Sequence, residues 1–172
     1  MSKKYYAKLF VGAIYSDQQL LIEAKSAMQR RGWEIQNKSQ EFSFDQTKYY
    51  LKEMGEGLKR CFLSIKGLQS LELITDWKLI TAEIEQQLSK KGKRRINLDP
   101  GYLDLSKVVL LSGKEGSHKL YLRNGVWADF VLLKDKGGYR NFPWTFPDIR
   151  TGCYDDYFLQ LRAEFKKEKS LG

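Results

Sequence analysis

Arg95, Asn97 and Asp99 alternate along RRINLDPGYL, residues 94–103. In an extended chain the two-residue period of a strand puts these three polar side chains on one face and Ile96 and Leu98 on the other. An arginine, an amide and a carboxylate on one face can hold an anion and move a proton. A second carboxylate, Asp129, interrupts the otherwise apolar run WADFVLL and is placed diagonal to the single histidine, His118. A carboxylate in such a run is costly unless it is paired. Glu53 and Arg60 flank a glycine-marked turn and can meet across it. Together, Asp99, Asp129, Glu53 and His118 would supply acid–base groups, and Arg60, Arg95 and Asn97 would hold an anionic ligand, the mixture expected of an active site. Each has a structural alternative. Asp129 can pair with Arg95 or a lysine to complete the fold. Asp99 can cap its own Asp-Pro-Gly β-turn. A lone strand histidine is commonly just a hydrogen-bonded side chain.

A second group of residues lies in DKGGYRNFPWTFPDIRTG, residues 135–152, which has no periodicity and is rich in glycine, proline and rings. Loops this long within a domain are uncommon and often functional. Tyr139, Phe142, Trp144 and Phe146 can stack nucleobases while Arg140 and Arg150 hold phosphates. Alternatively, Phe142, Trp144 and Phe146, stiffened by Pro143 and Pro147, plug the open end of a sheet.

The bulk composition limits the partners. The chain has 172 residues, 42% of them hydrophobic and 30% charged, which is a globular composition with room for one core. Its net charge of +9 favours anionic partners such as nucleotides or RNA. The densest basic cluster, SKKGKRR at residues 89–95, also reads as a helix end closed by Gly92, with Lys90 and Lys91 on the C-terminal dipole. No apolar run is long enough to span a membrane and the start lacks a signal-peptide core, so a cytoplasmic location is expected. Cys61, Cys153 and His118 are too scattered for a metal-ligand spacing, so no metal and no cofactor are expected.

The elements that must position these residues follow from pattern. KLFVGAIYS, residues 8–16, predicts a buried strand, and Ser16 with Gln19 predicts the capped start of a helix whose face is Leu20, Leu21, Ala24, Ala27 and Met28. Residues 33–44 are expected to be partly extended. Residues 47–67 read as a hairpin turning at MGEG, with a short helix through 45–54 as the competing reading; the two glycines require a turn at residue 55 either way. Residues 70–92 carry the clearest helical stripe: Leu73, Trp77, Ile80, Ile84 and Leu88. RRINL resumes as a strand, and KVVLLSG is apolar on both faces, as a central strand is. Asn124-Gly125 predicts a type I′ hairpin that pairs Arg123 with Val126, Leu122 with Trp127 and Leu120 with Asp129. A closing helix starts near Tyr154 and buries Tyr154, Phe158, Leu161 and Phe165. The order is β-α-β-β-α-β, then a strand, a hairpin and a helix. It predicts a single α+β domain, residues 1–172, with a ferredoxin-like, split β-α-β, antiparallel-rich sheet extended by the hairpin and the C-terminal helix.

Five blocks, AKLFVGAIYS, FDQTKYYLKEMG with LKRCF, RRINLDPGYL, SHKLYLRNGVWADFVLL and FPWTFPDIRTGCY, occur in this order. Together they resemble the bacterial family catalogued as domain of unknown function 4416, over nearly the whole chain. The resemblance implies no established activity. Some members are labelled GTP-binding, but the nearest text to a P-loop here, SGKEGSHK, has the wrong spacing and precedes a strand. Asp129 and Trp127 stand where members more usually carry Glu and Tyr. Three functions are therefore open: binding, with or without processing, of an anionic nucleotide or RNA; a non-enzymatic module that docks a protein; and a small hydrolase or transferase using the carboxylate and histidine cluster. Oligomeric state is not encoded in any of these patterns.

Overall fold

Every second residue of β1 (Tyr6–Tyr15) faces the opposite side of the sheet, and all but the first are buried, because helices cover both faces. The protein is described from a computed structural model over residues 3–45 and 47–171. After β1 come α1 (Gln18–Arg30), β2 (Ile35–Lys38), β3 (Phe42–Ser43), α2 (Leu51–Met54), β4 (Lys59–Ile65) and β5 (Gln69–Ser70). A 3₁₀ turn (Leu71–Leu73) leads into α3 (Ile74–Gln87) and β6 (Ile96–Leu103). The chain ends with β7 (Lys107–Ser112), β8 (Lys119–Arg123), β9 (Val126–Asp135), β10 (Gly138–Asn141), α4 (Pro147–Arg150) and α5 (Asp155–Ser170). The result is a mixed α/β fold around one large antiparallel sheet, ordered β10-β9-β7-β6-β1-β4-β2, with β3, β5 and β8 pairing onto β4, β1 and β9.

One face of the sheet, through Leu9, Val11, Ala13, Cys61 and Leu63, packs against Leu20 and Ala24 of α1 and Trp77 and Ile84 of α3. The other, through Phe10, Phe62, Leu110 and Val131, packs against Phe158, Leu161 and Phe165 of α5. There Phe62 meets Tyr154 and Phe158 with ring centroids 4.8 and 5.1 Å apart. Such pairs add about 0.5–1.5 kcal/mol each beyond their buried area.

Several local expectations need correction. The N-cap of α1 is Asp17, not Ser16: Asp17 is extended and its carboxylate accepts from the Gln19 N–H at 2.8 Å. Residues 47–67 are not a hairpin; the competing short helix, α2, precedes β4, and Gly55 and Gly57 turn the chain with positive φ. α3 ends at Gln87, ahead of the lysines, and Lys91 and Gly92 form a tight turn beyond it. Asn124 and Gly125 do adopt the paired positive φ of a type I′ turn, and Arg123 pairs with Val126. A bulge at Leu122 then shifts the register, so Tyr121 meets Trp127, Leu120 meets Ala128, and Lys119, not Leu120, stands opposite Asp129.

The largest correction concerns Asp99-Pro100-Gly101, which is no turn. It lies inside β6, opposite Gly12, Val11 and Phe10 of β1. On its other edge β6 pairs with β7 only from Gly101 to Leu103. Pro100 has no N–H to offer there. Leu98 is two residues away, so its backbone groups face the same edge, and both bond to α3 side chains in place of a strand: its N–H to Glu85 Oε1 at 2.6 Å, its carbonyl to Lys78 Nζ at 3.1 Å. Gly101 is required because β7 comes in close: a Cβ there would lie 2.3 Å from the Val109 carbonyl oxygen and 2.7 Å from the Phe10 ring. β7 meanwhile stays paired with β9 as far as Ser112 opposite Trp127. The sheet therefore splits between β6 and β7, and the split opens a cleft.

Candidate functional site

The cleft has a volume of about 530 Å³. Asn97 and Asp99 line one side from β6, and Leu110, Ser112 and Lys114 line the other from β7 and the loop after it. Lys78 and Glu85 rise from α3 through the split, Lys119 and Asp129 come from β8 and β9, and Tyr49, Tyr50, Phe146 and Pro147 form the outer walls.

Of the residues singled out in the sequence, Asn97, Asp99 and Asp129 meet in this cleft. Asp99 is bound by Lys78 Nζ at 3.0 Å and by Asn97 Nδ2 at 2.7 Å. Burial works against its charge, but Lys78 and Asn97 outweigh that and hold its pKa below the usual carboxylate value. Glu53 borders the cleft through Arg94, which gives it a hydrogen bond at 2.8 Å and gives Asn97 Oδ1 another at 2.7 Å. Glu53, Arg94, Asn97, Asp99 and Lys78 thus form one chain in which two cations balance two carboxylates.

The other predicted residues stand elsewhere. Arg95 is exposed, because the chain is still bent before β6 begins and strand alternation does not reach back to it; Arg94 takes the place foreseen for it. Arg60 lies beneath the wall, 1 % exposed, with Nη1 donating to both oxygens of Asp148 at 3.0 and 3.1 Å and its guanidinium over the rings of Phe44, Phe62 and Phe146. Arg140 and Arg150 are exposed outside the cleft. The aromatic loop is fastened to β9, with Trp144 Nε1 donating to the Phe130 carbonyl at 2.8 Å and Thr145 Oγ1 to the Val131 carbonyl at 2.7 Å. Trp144 stacks between Phe142 (4.8 Å) and His118 (5.5 Å), and so fixes the imidazole beside Asp129.

Four groups that matter most here were not singled out: Lys78, Glu85, Lys114 and Lys119. A signal for the first two exists. Lys78, Thr81 and Glu85 recur at helical spacing beside the apolar stripe of α3, and Lys78 and Thr81 are buried. Lys114 and Lys119 had none, since the loop that brings them together has no period. Burial lifts the Glu85 pKa to about 7, against the pull of Lys78. Burial also raises Asp129, with His118 and Lys119 pulling partly back, and burial beside Lys119 lowers Lys114. The cleft thus holds one firmly ionised carboxylate, Asp99, beside two carboxyls that hold their protons more strongly, a division characteristic of acid–base sites.

A pH effect follows from Glu85. Its folded pKa lies above the unfolded value of 4.5, so the folded protein binds the extra proton between pH 4.5 and about 7. Stability from this group is full below that window and is lost as pH rises through it. A shift of this size corresponds to roughly 3–4 kcal/mol in full, of which roughly 2–3 kcal/mol falls between pH 5 and pH 8. Urea unfolding at pH 5 and pH 8 is expected to show Glu85→Gln gaining that much on the wild type at the higher pH. Parallel pH profiles for the two proteins would contradict it.

Among the described residues no helix is long and apolar enough to cross a membrane, and no group of three or more His, Cys, Asp or Glu side chains is placed to hold a metal ion. The model of one family, described as domain of unknown function (DUF4416), matches residues 5–165. No curated protein and no solved structure matches the chain.

Proposed function

Because the chain belongs to the DUF4416 family, whose description carries no activity, we propose a function from the cleft itself: it binds a small anionic ligand of nucleotide size. The observation that carries this is the pair of ammonium groups on Lys114 and Lys119. Both line the cleft, and among the described residues neither is in an ion pair. Lys119 Nζ donates to Ser112 Oγ at 3.1 Å and to the Lys114 carbonyl at 3.2 Å, while Lys114 Nζ sits 3.9 Å from the centre of the Tyr49 ring. The other cations of the cleft, Lys78 and Arg94, are neutralised by Asp99 and Glu53. Two unneutralised ammoniums beside two tyrosines suit a phosphate joined to a planar ring. The volume is that of a small-molecule site. Arg140 and Arg150 do not converge on it, so a long RNA track draws no support from them. The order β6-β1-β4-β2, with α1 and α3 packed on one face, supports a split β-α-β half to which β7 to β10 are added.

Calorimetric titration with AMP, ribose 5-phosphate and adenosine tests the proposal. AMP is expected to bind at one site and to weaken as salt is raised. Ribose 5-phosphate should bind more weakly by roughly 5- to 150-fold, the value of about 1–3 kcal/mol for one stacked base. Adenosine should bind least. Adenosine binding as well as AMP, or no binding by any of them, would refute it.

A further inference from the structure

Among the described residues, Asp129 is the carboxyl of the cleft that receives no hydrogen bond, where Asp99 and Glu85 each receive one or more. Asp129 is 3 % exposed, and among the described residues its Oδ1 has no hydrogen-bond partner. His118 Nε2 lies 3.6 Å from that oxygen, beyond hydrogen-bond range, with its ring held by Trp144. Lys119, directly across from it on β8, sends its ammonium to Ser112 and the Lys114 carbonyl instead. A buried polar atom left unpaired is costly. Asp129, Lys114 and Lys119 therefore face one space without satisfying one another.

Resting on the anion-site proposal above, we infer that the bound anion shares a proton with Asp129, so that the ligand's charged end is a phosphate able to carry that proton, as inorganic phosphate or a phosphate monoester, and not a sulfate or a phosphodiester. The ammoniums of Lys114 and Lys119 hold the anion from the rim, and the Asp129 carboxyl meets one of its oxygens from the floor. Two oxygens of like charge at hydrogen-bond distance repel unless one proton lies between them. Inorganic phosphate carries such a proton near neutrality and above, as the hydrogen-phosphate dianion, and a monoester carries one up to its second pKa, about 6. Sulfate and diesters have none to give, so they bind only while Asp129 itself is protonated.

The groups around Asp129 set when that is. His118 and Lys119 favour its ionised form; Asp99 on β6 and burial favour the neutral one. Lys114 on the loop, and Lys78 and Glu85 on α3, line the same cleft. Glu85, with its pKa lifted to about 7, acts on both anions alike, so the ratio of the two affinities isolates Asp129.

The test is titration of inorganic phosphate and of sulfate into the full-length protein from pH 6 to pH 9, with AMP alongside. The ratio of phosphate to sulfate affinity is expected to rise with pH, by about ten-fold per unit once Asp129 ionises. In Asp129→Asn, whose amide can donate to either anion, the ratio should be flat and sulfate should still bind at pH 9. A wild-type ratio that stays flat overturns the inference whether or not the variant folds. If phosphate, sulfate and AMP all fail to bind the wild type, the anion-site proposal itself falls. AMP binding more tightly than inorganic phosphate identifies a monoester as the ligand, and the reverse identifies free phosphate; either is compatible with the shared proton.

Discussion

Replacing Arg60 with methionine is expected to destabilise the protein by about 3–5 kcal/mol, the usual cost of leaving one member of a buried ion pair alone. Arg60 and Asp148 are 1 % and 3 % exposed, and Asp148 receives two hydrogen bonds from the guanidinium. Without Arg60 the Asp148 carboxylate would stay charged in a wall of Phe44, Phe62 and Phe146, or take up a proton to remain folded. Arg60→Met combined with Asp148→Leu should recover most of the loss, because removing both charges relieves the desolvation of each. Urea unfolding of the three proteins measures this. A single variant within about 1 kcal/mol of wild type would show that the pair is hydrated. The consequence reaches the cleft, since Asp148 lies in the first turn of α4 and the preceding Phe146 and Pro147 are cleft wall. Arg60 thus fastens one wall of the cleft.

The second large effect is on binding. Lys114→Met with Lys119→Met is expected to lower AMP affinity by more than roughly a hundred-fold, because on the proposed reading each ammonium gives the phosphate a charge-assisted hydrogen bond, worth about 1.5–3 kcal/mol. Each single variant should lose on the order of ten-fold. Stability should change little. Lys114 is exposed and neither lysine is in an ion pair among the described residues, although Tyr49 loses a cation worth about 0.5–1 kcal/mol over its ring. AMP affinity unchanged in the double variant, with the fold intact, would place the anion elsewhere.

What could be read in the sequence was local and periodic. Strand alternation put Asn97 and Asp99 on one face, and the apolar run around Asp129 marked it as a buried carboxylate; both readings hold, and the two residues line one cleft. The same alternation failed at Arg95, because periodicity cannot show where a strand begins. It failed again before Asn124-Gly125, where a bulge at Leu122 carries no sequence mark yet moves Lys119 opposite Asp129. Asp-Pro-Gly has the composition of a turn, and its strand conformation depends on contacts distant in the chain: β1 on one side, β7 held close at Gly101, and Lys78 and Glu85 serving Leu98 where no strand does. That split opens the cleft, and it joins residues from α3, β6, β7 and β9 that no local pattern connects. The aromatic loop showed its rings but not their use: Phe146 covers Arg60 and Trp144 steadies His118.

The most direct test of the central claim, that an anion binds in the split between β6 and β7, is to follow backbone amide resonances while AMP is added to isotopically labelled protein. The account predicts saturable shifts concentrated at Asn97, Asp99, Ser112 to Lys114, Lys119 and Asp129. It predicts that these shifts vanish in the Lys114→Met, Lys119→Met variant. Shifts centred instead on Arg140 and Arg150, or none at a ligand excess that saturates a millimolar site, would contradict it.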